Sequence, residues 1–227
     1  GRGSGDFAPA PMASVTAQIE AGKRQLAAKW KSDRVIPYFQ AHSNTYGDLA
    51  RLRAAYFEAI AYPGTVGMSI ATRADCLGDA VLALLAEVAE KTRLTVELGL
   101  QSASDATAAR INRGHDFAAF RAGFAALRRA VPSAEICIHI INGLPGEMRE
   151  DMLATADAVA LLHPDQIKIH ALHVLRGTAL AARYARGEYT PLSLEHYVAV
   201  TAAQLTRLPP DIVIARVTGD GDRHALL

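Results

Sequence analysis

The stretch that decides the fold is EICIHIINGLPGEMREDMLATADAVALLHPDQIKIHALHVL, residues 135–175. Its first eight residues form an apolar, β-branched run, which is typical of a buried strand. Residues 149–162 have the apolar spacing of a helix, and a second strand-like run begins at Gln166. A strand, a helix of this length and a further strand predict a βαβ unit with two parallel strands.

The same alternation continues along the chain and predicts an α/β fold with a parallel sheet. Asp48 is predicted to cap the second helix, because its carboxylate can accept from a free backbone N–H. Helices are predicted at 15–30, 49–61, 79–92, 104–112, 117–131, 149–162 and 193–208. Strands are predicted at 35–42, 65–72, 95–101, 135–142, 166–174 and 212–218.

The placement of polar side chains distinguishes a barrel from an open doubly wound sheet. Strands of an open parallel sheet are buried on both faces and should be apolar throughout. In this chain one parity of each strand is apolar and the other carries polar groups, which favours helices outside and a ligand-binding interior. The polar positions are Tyr38, Gln40, His42, Ser69, Arg73, Glu97, Gln101, Glu135, His139, Lys168, His170, Arg216 and Thr218.

Single polar positions have simpler explanations that stay open at this stage. Arg73 could form a surface ion pair with Asp75, and His139 could be a buried histidine with hydrogen-bond partners. His139, His170 and His173 raise the question of a zinc or iron site. His170 and His173 cannot both face the interior from a regular strand, since successive side chains alternate between faces. The histidines therefore do not predict a metal site, and a lone thiol such as Cys76 does not predict a nucleophile.

The charge balance, the cysteine count and the length of the apolar runs bear on the partners and the compartment of the protein. The chain has 227 residues, a formal net charge of +1 and two cysteines. This charge balance does not point to a nucleic-acid partner, although five basic residues lie between Lys23 and Arg34. Two distant cysteines suit a reducing compartment, and no apolar run is long enough to span a membrane. We therefore expect a cytoplasmic protein with no membrane partner.

Several sequence blocks together resemble the YhcC-like radical-SAM family, and the resemblance covers the chain from end to end. Two of them, Glu-x-Gly-x-Gln-Ser and Gly-Leu-Pro-Gly-Glu, resemble segments of oxygen-independent coproporphyrinogen oxidases and of the Elongator catalytic subunit. The blocks are YFQAHSNTY at 38–46, TRADCL at 72–77, ELGLQS at 97–102, INRGH at 111–115, HIINGLPGE at 139–147, KIHALHVLRGT at 168–178 and RVTGDG at 216–221.

The resemblance implies one domain, residues 1–227, with the fold of a partial (β/α)6 radical-SAM TIM-like barrel. It also implies binding of S-adenosylmethionine and of a [4Fe–4S] cluster that is held by three closely spaced cysteines after the first strand. Residues 1–8 match the segment expected just after those cysteines, so the first strand is expected to be missing and the chain to be truncated at its N-terminus, with a further cut expected at its C-terminus. Cluster and radical activity are expected only in the longer parent protein.

The resemblance also suggests roles for individual residues. Gln40 and Asn44 are expected to contact the methionine end of S-adenosylmethionine, and Glu97 and Arg113 its ribose or carboxylate. The backbone at Asn142 and Gly143 is expected to lie near the adenine. The substrate would then meet His139, Lys168, His170 and Arg216.

The implied partners are an electron donor, such as flavodoxin or ferredoxin, and a substrate that includes tRNA bases among the candidates. Two other classes stay open. The first is a cluster-free barrel lyase or aldolase that uses Lys168 as a Schiff base. The second is a non-catalytic module that binds an adenosyl ligand or RNA.

Overall fold

The computed structural model describes residues 14–219 and 224–227. The segment 1–8 and the end of the last family block, 220–221, lie outside this range.

The described residues contain eight α-helices, six strands and one short 3₁₀ helix. The helices are α1 (Val15–Leu26), α2 (Leu49–Ala61), α3 (Asp79–Ala89), α4 (Asp105–Arg110), α5 (Phe117–Ala130), α6 (Arg149–Leu162), α7 (Ala179–Ala185) and α8 (Leu194–Leu205). The strands are β1 (Tyr38–Phe39), β2 (Met68–Thr72), β3 (Leu94–Gln101), β4 (Glu135–Asn142), β5 (Gln166–Ala171) and β6 (Val213–Arg216). The 3₁₀ helix is Ala74–Cys76.

The six strands form a sheet in chain order, β1-β2-β3-β4-β5-β6. The pairs β1–β2, β2–β3, β4–β5 and β5–β6 are parallel, and each crossover carries at least one helix. An open doubly wound sheet reverses its strand order at a switch point, whereas a barrel keeps chain order. The topology is therefore that of a partial (β/α)6 barrel, as the resemblance implied.

Polar side chains cap five of the eight helices in the described part of the chain. The Asp48 carboxylate accepts from the Arg51 N–H at 2.9 Å, which confirms it as the cap of α2. Ser14, Ser104, Thr178 and Ser193 cap α1, α4, α7 and α8 in the same way. Each cap satisfies a backbone donor that the first helical turn leaves free.

The strand predictions at both ends of the sheet are too long. Only Tyr38 and Phe39 form β1, because the chain leaves the strand and turns at His42, whose φ is +63°. The helix α1 ends at Leu26 rather than near Trp30, and α7 was not predicted. Local propensity is a weak guide at element ends, where tertiary contacts decide the boundary.

The predicted alternation of apolar and polar parity is confirmed in the middle of the sheet and wrong at its end. Ile136, Ile138 and Ile140 of β4 are buried, while His139 between them is half-buried. All four residues of β6 are exposed, including Val213 and Ile214. Among the described strands β6 pairs only with β5, so this edge strand lacks the cover that the inner strands have.

The described residues divide into two compact units. The N-terminal unit comprises residues 14–98 and 122–136, and the C-terminal unit comprises residues 99–121, 137–219 and 224–227. In the N-terminal unit α2 packs against α1 and α3. In the C-terminal unit α6 packs against α8, where Met152, Leu153 and Val200 form a buried cluster. No helix among the described residues combines the length and apolar character that crossing a membrane requires.

Candidate active site

A buried carboxylate lies on β3 in the N-terminal unit. Glu97 is 5% exposed, and Tyr38 of β1 donates its hydroxyl hydrogen to Glu97 Oε2 at 2.8 Å. Burying a charged group is costly unless hydrogen bonds compensate for lost water. Tyr38 thus holds the Glu97 carboxylate, a hydrogen-bond acceptor, in one position on the polar face of the sheet.

The loop that follows β1 is held by Asn44. Its side-chain nitrogen donates to the backbone carbonyl oxygens of Phe39 and Ala71, each at 2.9 Å, and the backbone carbonyl oxygen of Asn44 accepts from the Tyr56 hydroxyl. Asn44 therefore positions the loop between the ends of β1 and β2. The predicted contact partner Gln40 lies in the same loop and is half-buried.

Arg73, by contrast, forms the surface ion pair that the sequence left open. Its Nε and Nη2 atoms donate to the two carboxylate oxygens of Asp75 at 2.8 and 2.5 Å. This bidentate pair holds the pKa of Arg73 above its ordinary range. Arg73 therefore belongs to the turn after β2.

Four basic side chains meet on the polar face of the C-terminal unit. His139 of β4 is in register with Lys168 of β5, and Lys168 is in register with Arg216 of β6. The rings of His139 and His170 lie with their centroids 5.2 Å apart. All four residues predicted to contact the substrate are thus brought together by three neighbouring strands.

The segment after β6 returns to this face. His173 donates from Nε2 to the Gly219 carbonyl oxygen at 2.8 Å. A Cβ atom on Gly219 would lie 3.1 Å from His170 Nδ1 and 3.9 Å from Arg216 Nη1. Because β5 ends at Ala171, His173 is free of strand alternation and approaches the same segment as His170. The alternation of side chains that places His170 and His173 on opposite faces therefore applies only within β5, and His173 lies beyond its end.

Arg113 is held close to the end of β3. Its Nη2 atom donates to the Gly99 carbonyl oxygen, and a Cβ on Gly99 would lie 3.1 Å from that Nη2 atom. Arg113 also lines a cleft of about 390 Å³ together with Asp105 and His115. A larger cleft of about 650 Å³ lies between α1 and α2 and contains none of the predicted site residues.

The Asn142 side chain points towards helix α8 and away from the polar face of the sheet. It exchanges hydrogen bonds with Gln204 of α8, at 2.8 and 2.9 Å. Gly143 has a φ of +87°, and its carbonyl oxygen accepts from the Tyr189 hydroxyl at 2.8 Å. Only the backbone of this pair stays a candidate for adenine contact, which is the role that was predicted for it.

Two of the family blocks meet at Glu147. Ser102, at the end of the Glu-x-Gly-x-Gln-Ser block, donates to Glu147 Oε1 of the Gly-Leu-Pro-Gly-Glu block. Arg110 donates from Nη1 to the Pro145 carbonyl oxygen at 2.8 Å, and a Cβ on Gly146 would lie 2.5 Å from that Nη1 atom. The second glycine of the block is favoured by its φ of +78°, and any Cβ there would also displace the end of the Arg110 side chain.

Sequence reasoning did not single out Ser102, Glu147 or Arg110. Ser102 and Glu147 lie within two of the sequence blocks that resemble the family. Those blocks indicated functional segments but not which of their side chains contact each other. Arg110 gives no such signal, because a single arginine at the end of a short helix is ordinary.

Burial raises the pKa of Glu147 above its ordinary value of 4.5, although hydrogen bonds from Ser102 and Thr107 oppose the effect. The folded protein therefore favours neutral Glu147, and the stability this confers is lost as pH rises from the ordinary pKa through the raised one. Gln at this position accepts the same hydrogen bond and stays neutral.

We therefore expect the stability gain of Glu147→Gln over the unmodified protein to grow as pH rises from 4 towards 7. Urea unfolding at several pH values measures this difference. Two stability curves that stay parallel across that range would contradict the prediction.

The residues present do not fit the iron–sulfur cluster. Its three thiolate ligands exceed the two cysteines of the chain, and Cys137 is fully buried while Cys76 lies in the turn after β2. The polar groups of each unit, taken separately, suit contacts with an organic ligand: the N-terminal unit has the buried Glu97 carboxylate, and the C-terminal unit has His139 and His170 with their rings 5.2 Å apart.

The chain is similar in sequence to several known proteins. The chain is 44% identical to YtqA of Bacillus subtilis, over 96% of this chain and 67% of that protein. It is 35% identical to YhcC of Escherichia coli, over 87% of this chain and 63% of that protein. It is 30% identical to a tRNA uridine(34) acetyltransferase of Dehalococcoides mccartyi, over 68% of this chain and 33% of that protein.

The fold is also similar to that of the archaeal Methanocaldococcus infernus Elp3. The TM-score is 0.77 at 18% identity, over 94% of this chain and 54% of that one. The chain spans about two thirds of the length of YtqA and less of the other proteins. Residues 164–227 match the Radical_SAM C-terminal domain and residues 8–159 match the Radical SAM superfamily. The chain therefore belongs to the Radical SAM superfamily.

Proposed function

We propose that this chain is the part of a radical-SAM enzyme that binds S-adenosylmethionine and substrate. The observation that carries the proposal is the match of residues 8–159 to the superfamily. When bound, S-adenosylmethionine would supply the 5′-deoxyadenosyl group with which this superfamily abstracts hydrogen from substrates. The cluster and its electron donor, a flavodoxin or ferredoxin, belong to the proposal for the complete gene product in the cytoplasm, since two cysteines cannot supply three thiolates.

Glu97 supports a cofactor contact in this proposal. Its carboxylate is buried and held by Tyr38, so a ligand that donates to it would meet an acceptor that needs no reordering. Ribose hydroxyls and the methionine ammonium group are donors of this kind. Gln40, Arg113 and the backbone at Asn142 and Gly143 are proposed as further contacts, and Asn44 as a group that positions the loop.

Glu97→Gln should weaken S-adenosylmethionine binding by roughly tenfold or more, because it removes the charge while keeping an acceptor for Tyr38. Isothermal titration calorimetry on the chain measures the dissociation constant. Glu135→Gln is the matched control, since Glu135 pairs with the exposed Arg93 and also lies on a strand. Equal losses in both variants, or none in Glu97→Gln, would count against this site.

The activity itself is tested on the complete gene product. After reconstitution with iron and sulfide it should turn brown and cleave S-adenosylmethionine once reduced. A protein that stays colourless and cleaves no S-adenosylmethionine would overturn the proposed function.

A tRNA substrate is the finer proposal. One relative is named as a tRNA uridine(34) acetyltransferase, and residues 24–34 form an exposed basic segment. Trp30 lies in it between Lys29 and Lys31 and is 69% exposed, which provides a surface on which a base can stack.

The affinity for tRNA in a filter-binding assay should therefore fall as the salt concentration rises, and it should fall further in Trp30→Ala. Binding of tRNA that depends neither on salt nor on Trp30 would contradict the tRNA proposal.

A further inference from the structure

The segment between β3 and α4 is docked on the loop after β4 and on α6. Ser102 donates to Glu147 Oε1, and the Ala103 N–H donates to Thr155 Oγ1 of α6 at 3.1 Å. Ser102 and Thr155 are buried, so water competes little for these bonds. Both bonds lie within the C-terminal unit, and they join residues that are 45 and 52 positions apart in the chain.

Arg110 adds a further connection at the other end of α4. It is the last residue of that helix, and its Nη1 atom donates to the Pro145 carbonyl oxygen at 2.8 Å. Ser102 precedes α4 and Glu147 lies in the same loop as Pro145. The loop at 143–148 is therefore tied to the chain on both sides of α4.

Each side of this connection carries a proposed contact with S-adenosylmethionine. Arg113 follows α4, and its backbone N–H donates to the Ala108 carbonyl oxygen of that helix at 2.8 Å. The position of α4 therefore fixes the backbone of Arg113. The backbone at Asn142 and Gly143, proposed to lie near the adenine, stands at the start of the loop to which α4 is tied.

We propose that Ser102, Glu147 and Arg110 are positioning residues that set the distance between these two contacts. The proposal rests on the proposed function, because it assigns both contacts to one ligand. A ligand gains from reaching two contacts at once only if their separation matches its own length. Since hydrogen bonds within the protein fix that separation before binding, S-adenosylmethionine does not have to order the two segments.

Two substitutions of Glu147 test the proposal. Glu147→Ala removes the acceptor of the Ser102 hydroxyl, whereas Glu147→Gln keeps it. Glu147→Ala should weaken S-adenosylmethionine binding by roughly tenfold, the factor that one lost hydrogen bond accounts for, and Glu147→Gln should restore most of the affinity. Free adenine reaches only one of the two contacts, so its affinity should change much less. Calorimetry measures S-adenosylmethionine binding, and an NMR titration measures adenine binding.

Arg110→Ala is a second site variant, which removes the bond to the Pro145 carbonyl oxygen and covers the case of a Glu147→Ala protein that does not fold. Glu188→Ala is the matched control. Glu188 belongs to the same unit and pairs with Arg186 on the surface, so its loss should leave S-adenosylmethionine binding unchanged. Equal losses of S-adenosylmethionine and adenine binding, no rescue by Glu147→Gln, or an unmodified chain that binds no adenine would overturn the proposal.

Amide hydrogen exchange separates this proposal from the proposed function. In the protein without ligand, the amides of residues 143–148 should exchange faster in Glu147→Ala than in Glu147→Gln, because the loop is released from Ser102. Faster exchange in a chain that binds no S-adenosylmethionine would refute the proposed function and leave the positioning of the loop intact. S-adenosylmethionine binding that is equally tight in every variant would refute the positioning role alone.

Discussion

Asn142→Ala should lower the free energy of unfolding by about 2–4 kcal/mol. Asn142 and Gln204 are 2% and 0% exposed, and their side-chain amides bond to each other at 2.8 and 2.9 Å. Alanine removes both bonds and leaves the buried Gln204 side-chain oxygen without its Asn142 donor. Such an unsatisfied buried group costs its full desolvation penalty. Urea unfolding followed by circular dichroism measures the loss.

A second variant distinguishes this mechanism from a simple cavity. Asn142→Leu with Gln204→Met removes both polar groups and restores apolar volume of similar size. We expect the double variant to lose clearly less stability than the sum of the two single variants, because neither side chain is left unpaired. A strictly additive result would contradict a paired amide, and the S-adenosylmethionine affinity of the double variant would show whether the adjoining backbone has moved.

Gly123→Ala should destabilise the N-terminal unit by about 1–3 kcal/mol. Within a helix this change ordinarily stabilises, because alanine has the higher helix propensity. Here the new Cβ would lie 2.3 Å from the Ala74 carbonyl oxygen and 2.9 Å from the Ala74 carbonyl carbon. These are backbone atoms, so α5 or the turn after β2 must shift.

Gly22→Ala is the matched control for that substitution. Gly22 lies in α1 of the same unit, and no atom of the described residues beyond its own helix and neighbours lies within 4 Å of its added Cβ. Alanine there should raise the unfolding free energy by roughly 0.5–1 kcal/mol. Thermal or urea unfolding of both variants should give opposite signs, and a stabilised Gly123→Ala would contradict the close packing of α5.

Much of the fold follows from patterns that are local in sequence. The bounds predicted for α2, β4 and α6 are those of the structure, since apolar periodicity and the Asp48 cap act within a few residues. The same reasoning overextends β1 and misses α7, whose ends depend on contacts with distant segments. In the candidate site, the parity of the strands put His139, Lys168, His170 and Arg216 on one face before any contact was visible.

What each of those side chains does there could not be predicted in the same way. Asn44 and Asn142 are both asparagines near the end of a strand, and the sequence does not distinguish them. In the structure Asn44 holds the loop after β1, whereas Asn142 pairs with Gln204. Glu147 received no role from the sequence until Ser102 and Arg110 were found beside its block.

The sequence by itself determined the α/β class, the order of strands and helices along the chain and, in β4, the parity of the polar residues. These features depend on periodicities of 2 and 3.6 residues, which a chain carries in its local pattern. Only the tertiary structure decided which polar groups bond to each other, which glycines must stay glycine and which histidines meet at Gly219. Hydrogen bonds and close contacts depend on distances of a few tenths of an ångström between segments far apart in the chain, and no local pattern encodes those distances.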